Sequence, residues 1–337
     1  MLLVSVIMAA YNSEKEIGRA LESIRSQTVD QNLIEILVVD GGSKDKTIDI
    51  AKSYGAKVIK NPYRLPEPAK MIGLKEAKGK YILIMDTDET FCSNDILEKR
   101  LNALENIHGL RSIQGGVHSP KNEVVGHCSR YINEVGDPFT CFVYKTYKGG
   151  SMPGVIKRSG TYDKEHECFL GHFSKDDIKP IGDSVTMMDR EYILKHYKYM
   201  IDEGCTTAAI YDRLVGDTGI TAFVDGDYNI HYSSSSFKTY FGKLKFRIIN
   251  NIFDVKGSGY SAAAQTNKKL RNRKYLFPLY TASTIIPVVH GIEMSMKYKH
   301  PVFLMHPIFA WYVIIEIMIQ YTKKIFGKKS VNKNYAR

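Results

Sequence analysis

Two aspartates, Asp86 and Asp88, end the run Tyr81-Ile82-Leu83-Ile84-Met85-Asp86-Thr87-Asp88. A strand sends residues i and i+2 to the same side, so if the apolar run is a strand both carboxylates face one volume. Two such groups can hold Mg²⁺ or Mn²⁺ and leave coordination positions open, which suits a cation that must also bridge adjacent phosphates. Read alone, the pair is also compatible with a charged turn that ends a strand, because Asp is common in turns. A dinucleotide-dependent oxidoreductase is disfavoured: the first apolar run is followed by Ala9-Ala10-Tyr11-Asn12, not by a G-x-G-x-x-G turn. A nucleotidyltransferase would use similar carboxylates but needs a Gly/Arg/Lys-rich phosphate loop, which this sequence lacks.

The elements that must position these residues read as successive βα units, the signature of a mainly parallel sheet. Leu3–Met8 is the first expected strand. Ser13 and Glu16 have the spacing of a capping box, and Ile17, Leu21 and Ile24 then repeat on one helical face. Ile34–Val39, apolar apart from Glu35, is a run of the kind buried on both faces of a sheet. Thr47 to Tyr54 reads as a helix closed by Gly55, Lys57–Ile59 as a third strand, and a Pro-rich loop from Asn61 to Pro68 precedes a helix running to about Gly79. Tyr81–Met85 is the fourth strand. Ligands of open α/β sheets collect at the carboxyl ends of strands, and Asn12, Asp40 and Asp86 all fall there. From about residue 110 to 235 the periodicity weakens, and strands such as Ser112–Gly115 and Thr221–Val224 alternate with long loops. There is no internal repeat, and Ser233–Ser236 is the one low-complexity stretch.

The net charge of +11 is unevenly distributed. Residues 236–337 hold 18 basic and 3 acidic residues, against 29 basic and 33 acidic before them. Basic residues interleaved with long apolar runs favour anionic lipid over nucleic acid as the partner. Residues 275–296 and 302–321 approach membrane-spanning length, but they are interrupted by Pro278, Pro287, His290 and Glu293 in the first and by His306, Pro307 and Glu316 in the second. The cluster Lys268-Lys269-Leu270-Arg271-Asn272-Arg273-Lys274, the connector residues Lys297 and Lys299, and Lys323-Lys324 put positive charge on every flank. That pattern points to an interfacial or re-entrant pair of helices, and two core helices of a soluble domain are the alternative. The five cysteines contain no C-x-x-C pair, so a reducing, cytoplasmic setting is expected without a disulfide framework or zinc site. Residues 2–8 lack a basic leader and a cleavage site and are read as a buried strand rather than a signal peptide.

Four segments together resemble glycosyltransferase family 2: Val4-Ser5-Val6-Ile7-Met8-Ala9-Ala10-Tyr11-Asn12, Ser23-Ile24-Arg25-Ser26-Gln27-Thr28, Ile36 to Thr47 with Asp40-Gly41-Gly42-Ser43 inside it, and Ala77 to Asp88. The resemblance covers residues 3–115 strongly and 116–235 weakly. It implies a GT-A fold, a mostly parallel Rossmann-like sheet flanked by helices, followed here by a membrane-associated helical segment. It also implies a UDP- or GDP-sugar donor, Mn²⁺ or Mg²⁺ as cofactor, and inversion at the anomeric carbon. The expected domains are a catalytic region over 1–235, with a nucleotide-binding half at 1–115 and an acceptor half at 116–235, and a basic, apolar membrane-associated region over 236–337.

By the same resemblance, Ala9, Tyr11, Asp40, Lys70, Asp86 and Asp88 bind the donor, and Asp88, Asp86 and His231 hold the metal. Asp40 matches the family acid that meets the base, with Tyr11 bordering it, although an Asx-turn capping the next helix would also explain Asp40. Lys70 stands where an Arg near the diphosphate is common, in a loop that has Met71 in place of the usual Asn. His231 matches a His that closes the catalytic domain; a surface histidine is the plainer reading. The general base is assigned to Asp202-Glu203, ahead of Ile210-Tyr211-Asp212-Arg213-Leu214. Counting back from Arg213-Leu214 places the usual acidic pair on Thr206-Thr207 instead, so Asp202-Glu203 would have to fold back at Gly204 or act as an ordinary helix-start acid. The function expected is transfer of a sugar to a membrane-held acceptor, a polyprenyl phosphate or lipid-linked glycan. A non-catalytic relative that binds nucleotide or glycan and scaffolds membrane enzymes is the alternative.

Overall fold

The computed structural model describes residues 2–118, 126–145, 152–174, 185–232, 236–253 and 272–327. The chain divides into two compact units, Met1–Val117 with Met152–Tyr232, and His118–Ser151 with Ser233–Arg337. The segment 118–151 thus groups with the basic, apolar tail.

The first unit opens with β1 (Val4–Ala10), α1 (Ile17–Arg25), β2 (Ile34–Asp40), α2 (Thr47–Ser53), β3 (Lys57–Lys60), α3 (Pro66–Glu76) and β4 (Tyr81–Ile84). β5 (Glu89–Phe91), α4 (Ile96–Asn106), β6 (Ser112–Gln114) and β7 (Gly116–His118) follow. Beyond α5 (Ser129–Val135) and α6 (Pro138–Tyr144) of the second unit, the first resumes with α7 (Met152–Ser159), β8 (Thr161–Asp163), β9 (Cys168–His172) and β10 (Thr186–Asp189). It ends with α8 (Arg190–His196), α9 (Lys198–Asp202), α10 (Thr207–Thr218), β11 (Ile220–Val224) and β12 (Tyr228–His231).

Among the described residues, nine strands form one sheet in the order β3-β2-β1-β4-β10-β6-β11-β9-β8, and β5-β12-β7 form a second. β1 pairs in parallel with β2 and β4, and β2 with β3, whereas β10 enters antiparallel between β4 and β6. The central strands are apolar on both faces because both faces are covered. Val4, Val6 and Met8 join Ile17, Ala20, Leu21 and Ile24 of α1 in one core, while Ile7 and Leu37 meet Met71 and Leu74 of α3 and Ile210 and Leu214 of α10 in the other. This is the period-two alternation of a strand meeting the helical period on each side.

One local expectation fails. Ser13 and Glu16 do not form a capping box: α1 begins at Ile17, and Glu16 at its N-cap makes no side-chain cap hydrogen bond. The Ser13 N–H instead donates to Thr47 Oγ1 at 2.7 Å, so bonding between the loops after β1 and β2 takes the place of a local cap.

The second unit adds α11 (Phe237–Phe253), α12 (Phe277–Ala282), α13 (Ile285–Tyr298) and α14 (His306–Ile325) to α5 and α6. Its core is aromatic, with Tyr131, Tyr240, Phe277, Phe303 and Phe309 buried together. Of the polar residues that interrupt the apolar sequence, His306 and Glu316 turn inward, His290 is half-buried and Glu293 is exposed. His306 is fully buried, with Tyr131 Oη 2.5 Å from its Nδ1 and Tyr280 Oη 2.7 Å from its Nε2. Gln320 Nε2 donates to Glu316 Oε1 at 2.5 Å. The α12 and α13 segments meet at a bend of 93°, and Pro301–Ile325 is long and apolar enough to cross a membrane. The expected basic cluster at Lys268, Lys269 and Arg271 lies outside the described residues.

Candidate active site

The register places Ala10 beside Asp40 and Asp40 beside Lys60 at the carboxyl ends of β1, β2 and β3. The loops leaving β1 and β2 are stitched together: Asn12 N–H donates to Ser43 Oγ at 2.8 Å and Lys44 N–H to Asn12 Oδ1 at 2.9 Å. Lys46 N–H donates to Glu14 Oε2 at 3.1 Å, and Glu14 N–H to Asp45 Oδ2 at 3.2 Å. Asn12 adopts φ of 50°, a left-handed conformation that Asn tolerates better than most residues.

Asp40 is buried, and its carboxylate accepts from Gly42 N–H at 2.8 Å, from Ser43 N–H at 3.0 Å and from Ser43 Oγ–H at 2.5 Å. The Asx-turn geometry is therefore present, and it rigidifies the loop. Tyr11 packs over that turn: a Cβ added at Gly41 would lie 3.3 Å from its ring. Ala9, on β1, is half-buried beside Val39.

At the end of β4 the main chain turns sharply. Glu89 N–H donates to the Asp86 carbonyl at 3.3 Å, and Asp86 N–H donates to Glu89 Oε2 at 3.0 Å. Thr87 Oγ1–H reaches Ser13 Oγ at 3.2 Å and ties this turn to the first loop. Lys70, nearly buried on the first turns of α3, holds its Nζ 3.7 Å from Asp86 Oδ1 and 3.7 Å from Glu67 Oε1.

His231, at the end of β12, sets its Nε2 3.1 Å from Asp88 Oδ2, while Tyr232 N–H donates to the Asp88 carbonyl at 2.8 Å. Burial pulls the His231 pKa down, but the hydrogen bond and charge of Asp88, with Glu89 and Asp86 nearby, outweigh it and raise the value. Glu16 titrates high as well, first because it is desolvated and then because Asp88 is close.

β12 is held from behind by a buried ion pair. Arg100 Nε and Nη2 each lie 2.7 Å from one oxygen of Asp227, and both side chains are fully buried. Arg100 Nη1 also donates to the Val185 carbonyl at 3.1 Å. The glycines Gly115 and Gly116 give these groups room, since an added Cβ would fall 2.3 Å from Arg100 Nη2 and 2.3 Å from the Tyr228 ring.

The structure thus gathers Asp86, Asp88, His231 and Lys70. For Asp202 and Glu203 it shows a different setting. Both are exposed, Asp202 Oδ2 sits 2.5 Å from Lys198 Nζ, and the pKa of Asp202 is lowered chiefly by that hydrogen bond. The alternative position, Thr206, caps α10 by accepting from Ala209 N–H at 3.1 Å. Glu89, Arg100 and Asp227 escaped sequence reasoning. The adjacent acid Glu89 was visible, but nothing local reveals a partner more than a hundred residues away.

Among the described residues no group of three or more His, Cys, Asp or Glu side chains forms a ready-made cage for a metal ion. The donor set nevertheless fits a cation shared with a ligand: such a site takes one or two carboxylates from the protein and completes itself with phosphate oxygens and water.

The profile of the family described as "Glycosyl transferase family 2" matches residues 5–177. A Haemophilus influenzae protein named "Uncharacterized glycosyltransferase" is 39% identical over 114 residues, covering 32% of this chain and 44% of that protein. A Methanococcus voltae relative, named as a dolichyl N-acetyl-α-D-glucosaminyl phosphate glucuronosyltransferase, is 25% identical over 57% of this chain and 58% of its own. The chain therefore spans less than two thirds of the curated relatives it matches. The mannosyltransferase PcManGT from Pyrobaculum calidifontis, solved with GDP-Man and Mn²⁺, superposes with a TM-score of 0.53 at 12% identity, over 94% of this chain and 86% of that one. That likeness shows the GT-A-like fold. With three of the four motifs ending neighbouring strands of one sheet, the fourth on α1 packed against it, and the family profile covering half of its length, this chain belongs to glycosyltransferase family 2.

Proposed function

We propose that this chain is an inverting hexosyltransferase that moves a sugar from a UDP- or GDP-sugar to a membrane-held acceptor. The observation that carries the reading is the pairing of Asp88 with His231 at the carboxyl end of β4, beside Asp86 and Lys70. In this reading Ala9, Tyr11 and Asp40 border the nucleoside, and Asp88, Asp86 and His231 hold Mn²⁺ or Mg²⁺. When bound, the divalent cation supplies charge neutralisation for the departing diphosphate. Lys70 balances the Asp86 carboxylate. The acceptor oxygen attacks the anomeric carbon opposite the diphosphate, the new C–O bond forms, and the old one breaks with its electron pair leaving on the nucleoside diphosphate.

A sugar hydroxyl acceptor needs a base, and Asp202-Glu203 would supply it only after the Gly204 loop rearranges. An acceptor that is already anionic needs none. The exposed, lysine-bound state of Asp202 therefore favours a phosphate nucleophile such as a polyprenyl phosphate over a lipid-linked glycan.

The second unit supports a membrane-held acceptor. Of the 21 large apolar side chains left exposed among the described residues, 18 lie between Tyr275 and Phe326. On α14 they follow the helical repeat at Ile308, Trp311, Ile315, Met318 and Ile319, while His306, Phe309, Val313, Glu316 and Gln320 are buried. A continuous face of exposed apolar side chains, with the helix's polar His306, Glu316 and Gln320 turned inward, is the pattern of a surface that meets lipid, and the basic tail suits an anionic one. The M. voltae relative, whose name specifies an N-acetylglucosamine carried on dolichyl phosphate, agrees with a membrane-held acceptor but of the lipid-linked glycan kind. The chain would work at the cytoplasmic face, peripherally or through re-entrant helices, with its cysteines free.

The test is transfer from a panel of UDP- and GDP-sugars in the presence of Mn²⁺, preceded by thermal-shift screening of nucleoside diphosphates with and without the cation. Metal-dependent stabilisation and turnover are expected. Tight donor binding with no turnover on any acceptor would favour the scaffold reading instead.

A further inference from the structure

Glu89 is a buried carboxylate, 2% exposed, that the reaction outlined above does not use. It closes the β4 turn in both directions, since its N–H donates to the Asp86 carbonyl and its Oε2 accepts from Asp86 N–H. It is also the residue opposite His231 in the antiparallel β5–β12 ladder. Directly opposed residues project to the same face of a sheet, and Asp88 precedes Glu89 by one residue. A single side chain therefore holds the Asp86 main chain and stands opposite His231, next in sequence to Asp88.

We propose that Glu89 is the positioning residue of the cation site, holding the Asp86 main chain so that Asp88 and His231 present their donors to one volume. The inference rests on the cation reading above and deepens it. A charge-assisted bond from a buried backbone N–H to a carboxylate is stronger than a neutral one. Its loss would free the turn to rotate Asp86 and Asp88 apart. Glu89 keeps its carboxylate on the turn and does not ligate the cation. Groups that orient metal ligands in this way change affinity by about 10- to 100-fold when removed.

The experiment is titration of the full chain with Mn²⁺ alone, read by the spin-resonance signal of the free ion, for the native protein, Glu89→Ala, Glu89→Asp and Glu89→Gln. Amide exchange at Asp86 is followed in metal-free protein. Glu89→Ala and Glu89→Asp are expected to weaken Mn²⁺ binding by about tenfold or more and to speed exchange at Asp86. Glu89→Gln, which keeps an acceptor oxygen at full reach, is expected to restore both to within about threefold of native. Should Glu89→Ala fail to fold, Glu89→Asp carries the same test with a carboxylate one methylene too short. Native affinity in both shortened variants overturns the assignment alone. Loss of binding in Glu89→Gln as complete as in Asp88→Ala overturns it in favour of direct ligation. A native chain that takes up no Mn²⁺ overturns the cation reading and this assignment with it.

Discussion

His231 Nε2 lies 3.1 Å from Asp88 Oδ2, although 143 residues of chain separate them. The contact joins the end of β12 to the turn after β4, and it makes two proposed ligands one preset pair. A pair held together before the cation arrives loses less freedom on binding it, so both residues should matter to the same step.

Asp88→Ala is therefore expected to lower transfer by about 100- to 1,000-fold, the loss typical when electrostatic stabilisation of a leaving group is removed. His231→Ala should give a smaller loss that excess Mn²⁺ partly restores. Steady-state kinetics across a Mn²⁺ series separates the two, and unchanged activity in Asp88→Ala would sink the metal assignment. Chelation with EDTA should abolish turnover and the thermal shift produced by nucleoside diphosphate.

The Arg100–Asp227 pair predicts a large and asymmetric stability effect. Both partners are fully buried, and removing one leaves the other charged without compensation. Asp227→Asn or Arg100→Met should each cost about 3–5 kcal/mol in denaturant-induced unfolding. The double variant should cost less than the two single losses combined, and strict additivity would show that the pair is not coupled.

Gly116→Ala tests the close approach behind β12. Its added methyl would fall 2.3 Å from the Tyr228 ring, so either the ring or the strand must shift. Overpacking of this kind costs about 1–3 kcal/mol. Because His231 ends the same strand, Mn²⁺ affinity should fall together with melting temperature. A change in stability with unaltered Mn²⁺ binding would show that β12 does not transmit the strain.

Asp45 gives a pH-dependent prediction. Desolvation pushes its pKa up, but hydrogen bonds from the Thr47 side chain and from the Thr47 and Glu14 main chains push harder, and the folded value lies below 3.8. A depressed carboxylate stabilises the fold fully above its unfolded pKa and loses that contribution as pH falls through the folded value. Asp45→Asn should destabilise the fold at neutral pH, and the difference from native should shrink as the pH falls below 3.8. A difference that stays constant down to acid would rule out this origin.

The apolar face of the second unit is best tested in the whole chain, because α5 and α6 share its core with α11–α14. Ile285→Glu and Ile315→Glu alter side chains that are 74% and 45% exposed, so folding should survive. Co-sedimentation with anionic vesicles should fall several-fold, while nucleoside-diphosphate binding should be unchanged. Equal sedimentation of variant and native protein would remove the membrane surface from the account.

Much of the first unit was legible because its information is local. The run in β4 is apolar throughout, and those in β1 and β2 are broken only by Ser5 and Glu35 before the closing Asp40, a pattern that strands covered on both faces sustain. Ile17, Leu21 and Ile24 repeat at helical spacing, and Asp40 and Asp86 follow directly from strand ends. Order along the chain was therefore enough to put the loop after β2 and the two aspartates at the carboxyl edge of the parallel strands.

What the sequence by itself could not determine is which distant side chains complete that edge. Family resemblance alone set His231 with Asp88; Glu89 faces His231 and Arg100 pairs with Asp227 only once β5, β12 and α4 are packed, and no short-range period encodes a register between segments more than a hundred residues apart. The same holds for the exposed position of Asp202-Glu203 and for the grouping of 118–151 with the tail. Local periodicity decides which face of an element is buried; the tertiary structure alone decides against what, because that depends on how all the faces are satisfied at once.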